Sequence, residues 1–229
     1  MHGMQVRIVR GLIKRSYAGF AVLVMVLSVL AGCATDGKIR DPVAQEPSAD
    51  KKSSVMRLQD GREGFIITEV PIMDEASRRD FDRAIAMMKD QNYDQAIDLL
   101  EKVIEHSPGI SAPYIDVAIA YQRIGKTEQA EEHLKTALKL FPEHPVACNE
   151  YGLLYRKTGR FAEARAIYEK AIARFPEYYP LHRNLGVLCD LYLNDPECAL
   201  NQFEIYSEKM PADAHVRIWI AELRTRLGR

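Results

Sequence analysis

SAPYIDVAIAYQRIGKTEQAEEHLKTALKLFPEH, residues 111–144, runs without a break into PVACNEYGLLYRKTGRFAEARAIYEKAIARFPEY, residues 145–178. Laid one under the other, the segments place a small residue at Ala118 and Gly152, a glycine at Gly125 and Gly159, an alanine at Ala130 and Ala164, and a proline at Pro142 and Pro176. The register extends both ways: Pro108, Pro142, Pro176 and Pro211 recur at intervals of 34, 34 and 35, as do Ala96, Ala130, Ala164 and Ala199. A fixed period of this size marks a solenoid, whose units cannot bury an apolar face alone and stack to do so.

Each unit reads as a helix pair. Tyr93-Asp94-Gln95-Ala96, Thr127-Glu128-Gln129-Ala130 and Phe161-Ala162-Glu163-Ala164 open successive second helices. Leu100, Leu134, Tyr168 and Phe203 follow each alanine by four and share its face. Ala84, Ala118, Gly152 and Gly186 stand where the paired helices must approach closely, and Gly125 and Gly159 permit the tight turn between them. Across residues 77–211 this pattern resembles the tetratricopeptide repeat, with Tyr114, Tyr121, Tyr151 and Tyr155 at its aromatic positions. The first unit departs from it in having Gln91 for the turn glycine, and the last carries one extra residue near Asn194-Asp195-Pro196. After Pro211, Asp213 can cap a final helix with Val216, Trp219, Ile220, Leu223 and Leu227 in one apolar stripe, Arg217, Glu222, Arg224 and Arg226 outside it, and Gly228 as its stop.

The predicted fold is therefore all-α: four helix-turn-helix repeats at residues 77–110, 111–144, 145–178 and 179–213, and a capping helix over 214–229. Such stacks expose an extended groove lined by their first helices, suited to a peptide or partner helix. The resemblance implies a lining of Phe81, Ile85 and Met88, then Ile115, Ile119, Gln122 and Arg123, then Asn149, Leu153, Arg156 and Lys157, continued by Arg183 and Val187. An apolar floor with cations suits a ligand with apolar anchors and acidic groups. The plainer alternative is that Arg123, Arg156 and Lys157 are a solvated helix face. Chaperone-binding relatives hold a terminal carboxylate with Lys, Asn and Arg; the matching places here carry Phe81, Ile85, Asp116, Val146 and Glu150, whose acids would repel it.

Ahead of the repeats, Arg7, Arg10, Lys14 and Arg15 precede a charge-free apolar run over residues 17–30, then Ala31 and Gly32. A basic head, an apolar middle and a small-residue exit read as a secretory signal over 1–32. Leu30-Ala31-Gly32-Cys33 resembles the bacterial lipobox, which implies acylation of Cys33 as the mature N-terminus and a lasting membrane tether. The uncharged stretch 16–35 is also long enough for a retained transmembrane anchor, the alternative reading. Ala34 follows the cysteine where inner-membrane lipoproteins usually carry Asp, so the resemblance implies the periplasmic side of an outer membrane in a diderm source. Residues 33–54 are too polar to offset their ordering entropy and read as a flexible leash. Residues 55–76 contain a short extended piece from Gly64 to Val70, bounded by Asp60-Gly61 and Pro71.

Composition narrows the function. With 31 basic and 32 acidic residues there is no electrostatic footprint for nucleic acid. Export favours thiol pairing, and Cys189 and Cys198 fall on opposite arms of the fourth hairpin, where a disulfide needs a Cα separation within bridging range. Cys148 reads as a buried core thiol. His144 and Cys148 are four apart, but Pro145 lies between them and no second ligand pair accompanies them, so no metal is expected. No serine elbow, phosphate loop or paired catalytic carboxylates occur, and residues 35–76 leave no room for a catalytic domain, so neither an enzyme nor a cofactor or small-molecule substrate is expected. The expectation is a membrane-anchored lipoprotein whose groove takes proteins or peptides of the cell envelope, as a scaffold in assembly of a pilus- or secretion-type machine. Docking peptidoglycan enzymes or proteases, serving a TonB-type energy-transducing complex, and acting as an inert spacer are the alternatives.

Overall fold

A computed structural model of the chain describes residues 5–6, 54–57, 64–68 and 72–229. The expected signal segment (apart from Gln5 and Val6), the lipobox cysteine Cys33 and nearly all of the leash lie outside the described residues. Ahead of the helices, β2 (Ser54–Arg57) pairs antiparallel with β3 (Gly64–Thr68), Val55 opposite Ile67, and β1 (Gln5–Val6) pairs parallel with β3 on its other edge. The extended piece expected from Gly64 is thus a strand, and its partner begins at the last residue assigned to the leash.

Nine α-helices follow among the described residues: α1 Glu75–Lys89, α2 Tyr93–His106, α3 Ser111–Arg123, α4 Thr127–Leu140, α5 Pro145–Lys157, α6 Phe161–Arg174, α7 Pro180–Leu191, α8 Pro196–Lys209 and α9 Ala214–Arg226. Their ends follow from local chemistry. Asp74 accepts the backbone N–H groups of Ala76 (2.8 Å) and Ser77 (2.9 Å), starting α1 two residues before Ser77. Asp195 caps α8 and Asp213 caps α9 in the same manner, and proline opens α5, α7 and α8, where a missing N–H costs nothing. The turns within pairs need positive φ, which Gly125 (80°) and Gly159 (76°) adopt without strain. The outer two units use side-chain-bearing residues there, Gln91 at 63° and Asn194 at 51°.

Packing shows how the pairs stack. The helices of each pair pack on each other, and each second helix packs on the first helix of the next unit. First helices also touch, α1 on α3, α3 on α5 and α5 on α7, whereas among the described residues no second helix touches another. A layer in contact beside a layer held apart must curve, with the first helices inside. The all-α solenoid expected from the period is the fold observed, and α9 closes it by packing on α8.

The contact that fixes each pair is a small residue facing a large one. Leu100, Leu134, Tyr168 and Phe203 are all fully buried, and Ala84 and Ala118 are buried in the units whose second helices carry leucine. The two aromatic units have glycine instead: a Cβ on Gly152 would lie 2.3 Å from the Tyr168 ring, and one on Gly186 would lie 2.5 Å from the Phe203 ring. Side-chain volume is thus conserved across the contact, as close-packed interiors require. Between the second and third units, Glu131 of α4 accepts from Lys135 (2.9 Å), from Arg160 before α6 (3.0 Å) and from the Tyr151 hydroxyl of α5 (3.0 Å). The Lys135 bond, ahead of those from Arg160 and Tyr151, holds its carboxyl down to about 2 against the opposing effect of burial.

Gly152→Ala should destabilise the fold by about 1–3 kcal/mol through overpacking, despite the better helix propensity of alanine. Adding Tyr168→Leu, which recreates the pairing of the first two units, should restore most of that loss in urea unfolding. Additive losses in the double variant would contradict the volume account.

Candidate functional site

The inner faces of α1, α3, α5 and α7 form rows at the repeat spacing. One row is aliphatic throughout: Ile85, Ile119, Leu153 and Val187, each half-buried so that one side of the chain remains open. The next place in the row, on α9, is the exposed Glu222, while two exposed apolar residues lie beside the row: Leu191, 69% exposed, at the α7 place matching Arg123 and Lys157, and Ile218 of α9, 55% exposed, at the place matching Arg183. Arg123 and Lys157 stand exposed at equivalent places on α3 and α5, while Met88, Gln122 and Arg156 are half-buried along a third row.

Not every expected lining residue is there. Phe81 (6% exposed) and Ile115 (3%) are sealed between helices and belong to the core, since α3 on α1 and α5 on α3 cover that face. Asn149, in the same row, is also buried, and its polarity is answered in place: Asn184 Nδ2 donates to its Oδ1 (2.7 Å) and its Nδ2 donates to Glu150 Oε1 (3.2 Å). Arg183 is turned toward the cap, where its Nε donates to Asp213 (3.3 Å) and its guanidinium lies 5.2 Å from the Trp219 ring centre. Asp213 therefore both starts α9 and fixes it to α7.

Electrostatically, the middle of the groove is basic. Burial pushes the Glu150 carboxyl up from its ordinary range, opposed by its bond from Asn149 and by the nearby charges of Arg123 and Lys157. Arg156 stacks over Tyr192, 5.7 Å from the ring centre, and Tyr192 in turn meets Phe161. Sequence reading named Asn149 and Glu150 but missed Asn184, which joins them in one polar chain by its bond to Asn149. It missed Tyr192 because the extra residue of the fourth unit shifts the register there.

The cysteines and histidine fall outside the groove. Cys189 and Cys198 form a disulfide with a Cα separation of 5.9 Å, tying α7 to α8 across the enlarged turn. Asp195 is close to both sulfurs, but these are consumed by the bridge, and the Asp195 carboxylate already caps α8 and accepts from Arg165 (3.2 Å). His144 accepts the Ala147 N–H through Nδ1 (3.4 Å) as the cap of α5. Cys148 is buried, and desolvation pushes its thiol up to about 12. No described helix is long and apolar enough to cross a membrane.

Residues 78–143 and residues 116–179 each match the tetratricopeptide repeat family. The helical body carries tetratricopeptide repeats. No curated protein matches the sequence. Among solved structures the chain is similar to PilF of Pseudomonas aeruginosa, at 23% identity and a TM-score of 0.62 over 67% of this chain and 70% of that one. It is similar also to MamA of Desulfovibrio magneticus RS-1 (17%, TM-score 0.57, 69% and 88%) and to a thermophilic tetratricopeptide protein of Thermus thermophilus (20%, TM-score 0.56, 67% and 84%). These likenesses establish the fold.

In a Cys33→Ser variant, alkylation at pH 8 should leave the folded protein unlabelled, because Cys148 is both buried and protonated. Denaturation without reductant should add one label, and denaturation with reductant three, counted by intact mass. Three labels without reductant would contradict the disulfide.

Proposed function

We propose that this chain is a lipid-anchored scaffold that holds a protein segment of the cell envelope along the inner face of its repeats, in assembly of a pilus- or secretion-type machine. The observation that carries the reading is the aliphatic row Ile85, Ile119, Leu153 and Val187, open along the groove through all four repeats. An inert stack would gain solubility from polar residues there; exposed apolar stretches of this length mark binding surfaces. Tetratricopeptide repeats serve as protein-interaction scaffolds, and nothing in the groove is arranged as a nucleophile with its base. The envelope location rests on the signal-like start and the lipobox-like Leu30-Ala31-Gly32-Cys33, and the pilus- or secretion-type machine rests on the resemblance of that start plus repeats to pilus-assembly lipoproteins.

The repeat spacing fits such a ligand. Neighbouring helix axes stand about 8–10 Å apart, which an extended chain covers in about three residues and a helix in about two turns. Either form can present one apolar anchor per unit.

Capture from crosslinked native envelopes tests the reading. The wild-type protein should recover a defined set of envelope proteins, and Leu153→Glu combined with Arg156→Glu should lose them while the circular dichroism spectrum stays helical. Identical recoveries from both would assign the function to the outer helices or to a spacer. Labelled palmitate should enter the wild type and not Cys33→Ser; labelling of both would remove the lipid anchor from the reading.

A further inference from the structure

Three rows run side by side along the inner face of the first helices. The half-buried aliphatic row, Ile85, Ile119, Leu153 and Val187, lies in the middle. Four residues further along each helix, on the same face, stand Lys89, Arg123 and Lys157, all exposed. Three residues back, on the other side, lie Asp82, Asp116 and Glu150. Through the first three repeats the apolar row is therefore edged by bases on one side and by acids on the other.

The basic edge is the one left open. Asp82 is paired with Arg78 (3.8 Å), and Glu150 accepts from Asn149 (3.2 Å). Glu150 also lies in electrostatic reach of Arg123 and Lys157, one acid for two cations. Among the described residues no carboxylate comes within ion-pair distance of Lys89, Arg123 or Lys157. By contrast Arg226, at the matching place on α9, is held by Asp190 (2.6 Å). On α7 that place is Leu191, 69% exposed beside Val187. A cation in the last turn of a helix is ordinary, since it faces the negative end of the dipole. The register is what departs from the ordinary: three open cations, each one helical turn from an aliphatic anchor, give way in the fourth repeat to an exposed leucine.

Cations beside apolar residues complement acids beside apolar anchors, whereas the edge of Asp82, Asp116 and Glu150 repels them. A ligand can thus carry its acids on one side only. We propose that the partner segment bears an acidic side chain beside each apolar anchor it lays on the first three repeats, all on one side, and an apolar side chain beside its anchor on the fourth. The acids face Lys89, Arg123 and Lys157, one in each unit, and the last apolar side chain rests on Leu191. The change at Leu191 fixes which end of the segment lies on the fourth repeat. This inference rests on the scaffold reading above and adds the partner's charge pattern and its register.

The test is a library of randomised peptides, displayed between fixed flanks so that no free carboxyl terminus is present, selected on the detergent-solubilised full-length protein. Peptides that lose binding to Leu153→Glu should be enriched in Asp and Glu. Arg123→Gln combined with Lys157→Gln should weaken them roughly five- to tenfold, as expected of two exposed charge pairs, and high salt should shrink the difference. Selection repeated on Arg123→Glu with Lys157→Glu should replace acids by Lys or Arg. Leu191→Lys, at a site too exposed to disturb folding, should select one further acid. Leu153-dependent peptides without acidic enrichment, the same enrichment on the charge-reversed protein, or an unchanged selection on Leu191→Lys would overturn this proposal and leave the scaffold reading standing. Recovery of no peptide that depends on Leu153 would overturn both.

Discussion

Every repeat of this chain depends on one close approach, between a residue with little or no side chain on a first helix and a bulky one on the second. Ala84 with Leu100, Ala118 with Leu134, Gly152 with Tyr168 and Gly186 with Phe203 make the same contact with different volumes. Because each pair is held at that point, its outer helix can lean on the next unit without touching the next outer helix, and the first helices come into line. Curvature and groove are consequences of this arrangement, so the surface offered to a ligand derives from a packing rule several ångströms beneath it.

The third repeat shows how one packing rule admits side chains of different chemistry. Tyrosine at 168 requires glycine at 152, and its ring and hydroxyl fill the space so made against α5. Phenylalanine in the fourth repeat meets the same steric demand without polarity. The groove also differs in chemistry along its length: aliphatic at the first unit, polar and cationic at the second and third, apolar again where Leu191 and Ile218 stand exposed. At the far end Asp213 and Trp219 take up Arg183, so that this cation serves the cap.

Most of this architecture was legible in the sequence because backbone sterics dictate it. Positive φ selects glycine at 125 and 159, close approach selects small residues, and proline selects helix starts and ends, so these residues recur at the period. Groove composition was only partly legible. Register tells which face a residue occupies, and it placed Ile119, Leu153 and Lys157 on the inner side. How deeply a neighbouring helix covers that face depends on tertiary packing, which is why Phe81 and Ile115 belong to the core and Asn149 is enclosed with Asn184. The Arg183 pairing with a residue 30 positions later is likewise non-local, and the hairpin of Ser54–Arg57 with Gly64–Thr68 lies outside the repeats, so neither leaves a periodic signal.

The central claim, that a partner lies along the inner face of the repeats, is tested most directly by placing a photo-crosslinking amino acid at single positions in living cells. Ile119, Leu153 and Val187 represent the inner row, and Glu132 and Glu169 represent exposed places on the second helices. The account predicts adducts of one common mass from the inner positions and none of that mass from Glu132 or Glu169. Adducts confined to the second-helix positions would contradict it.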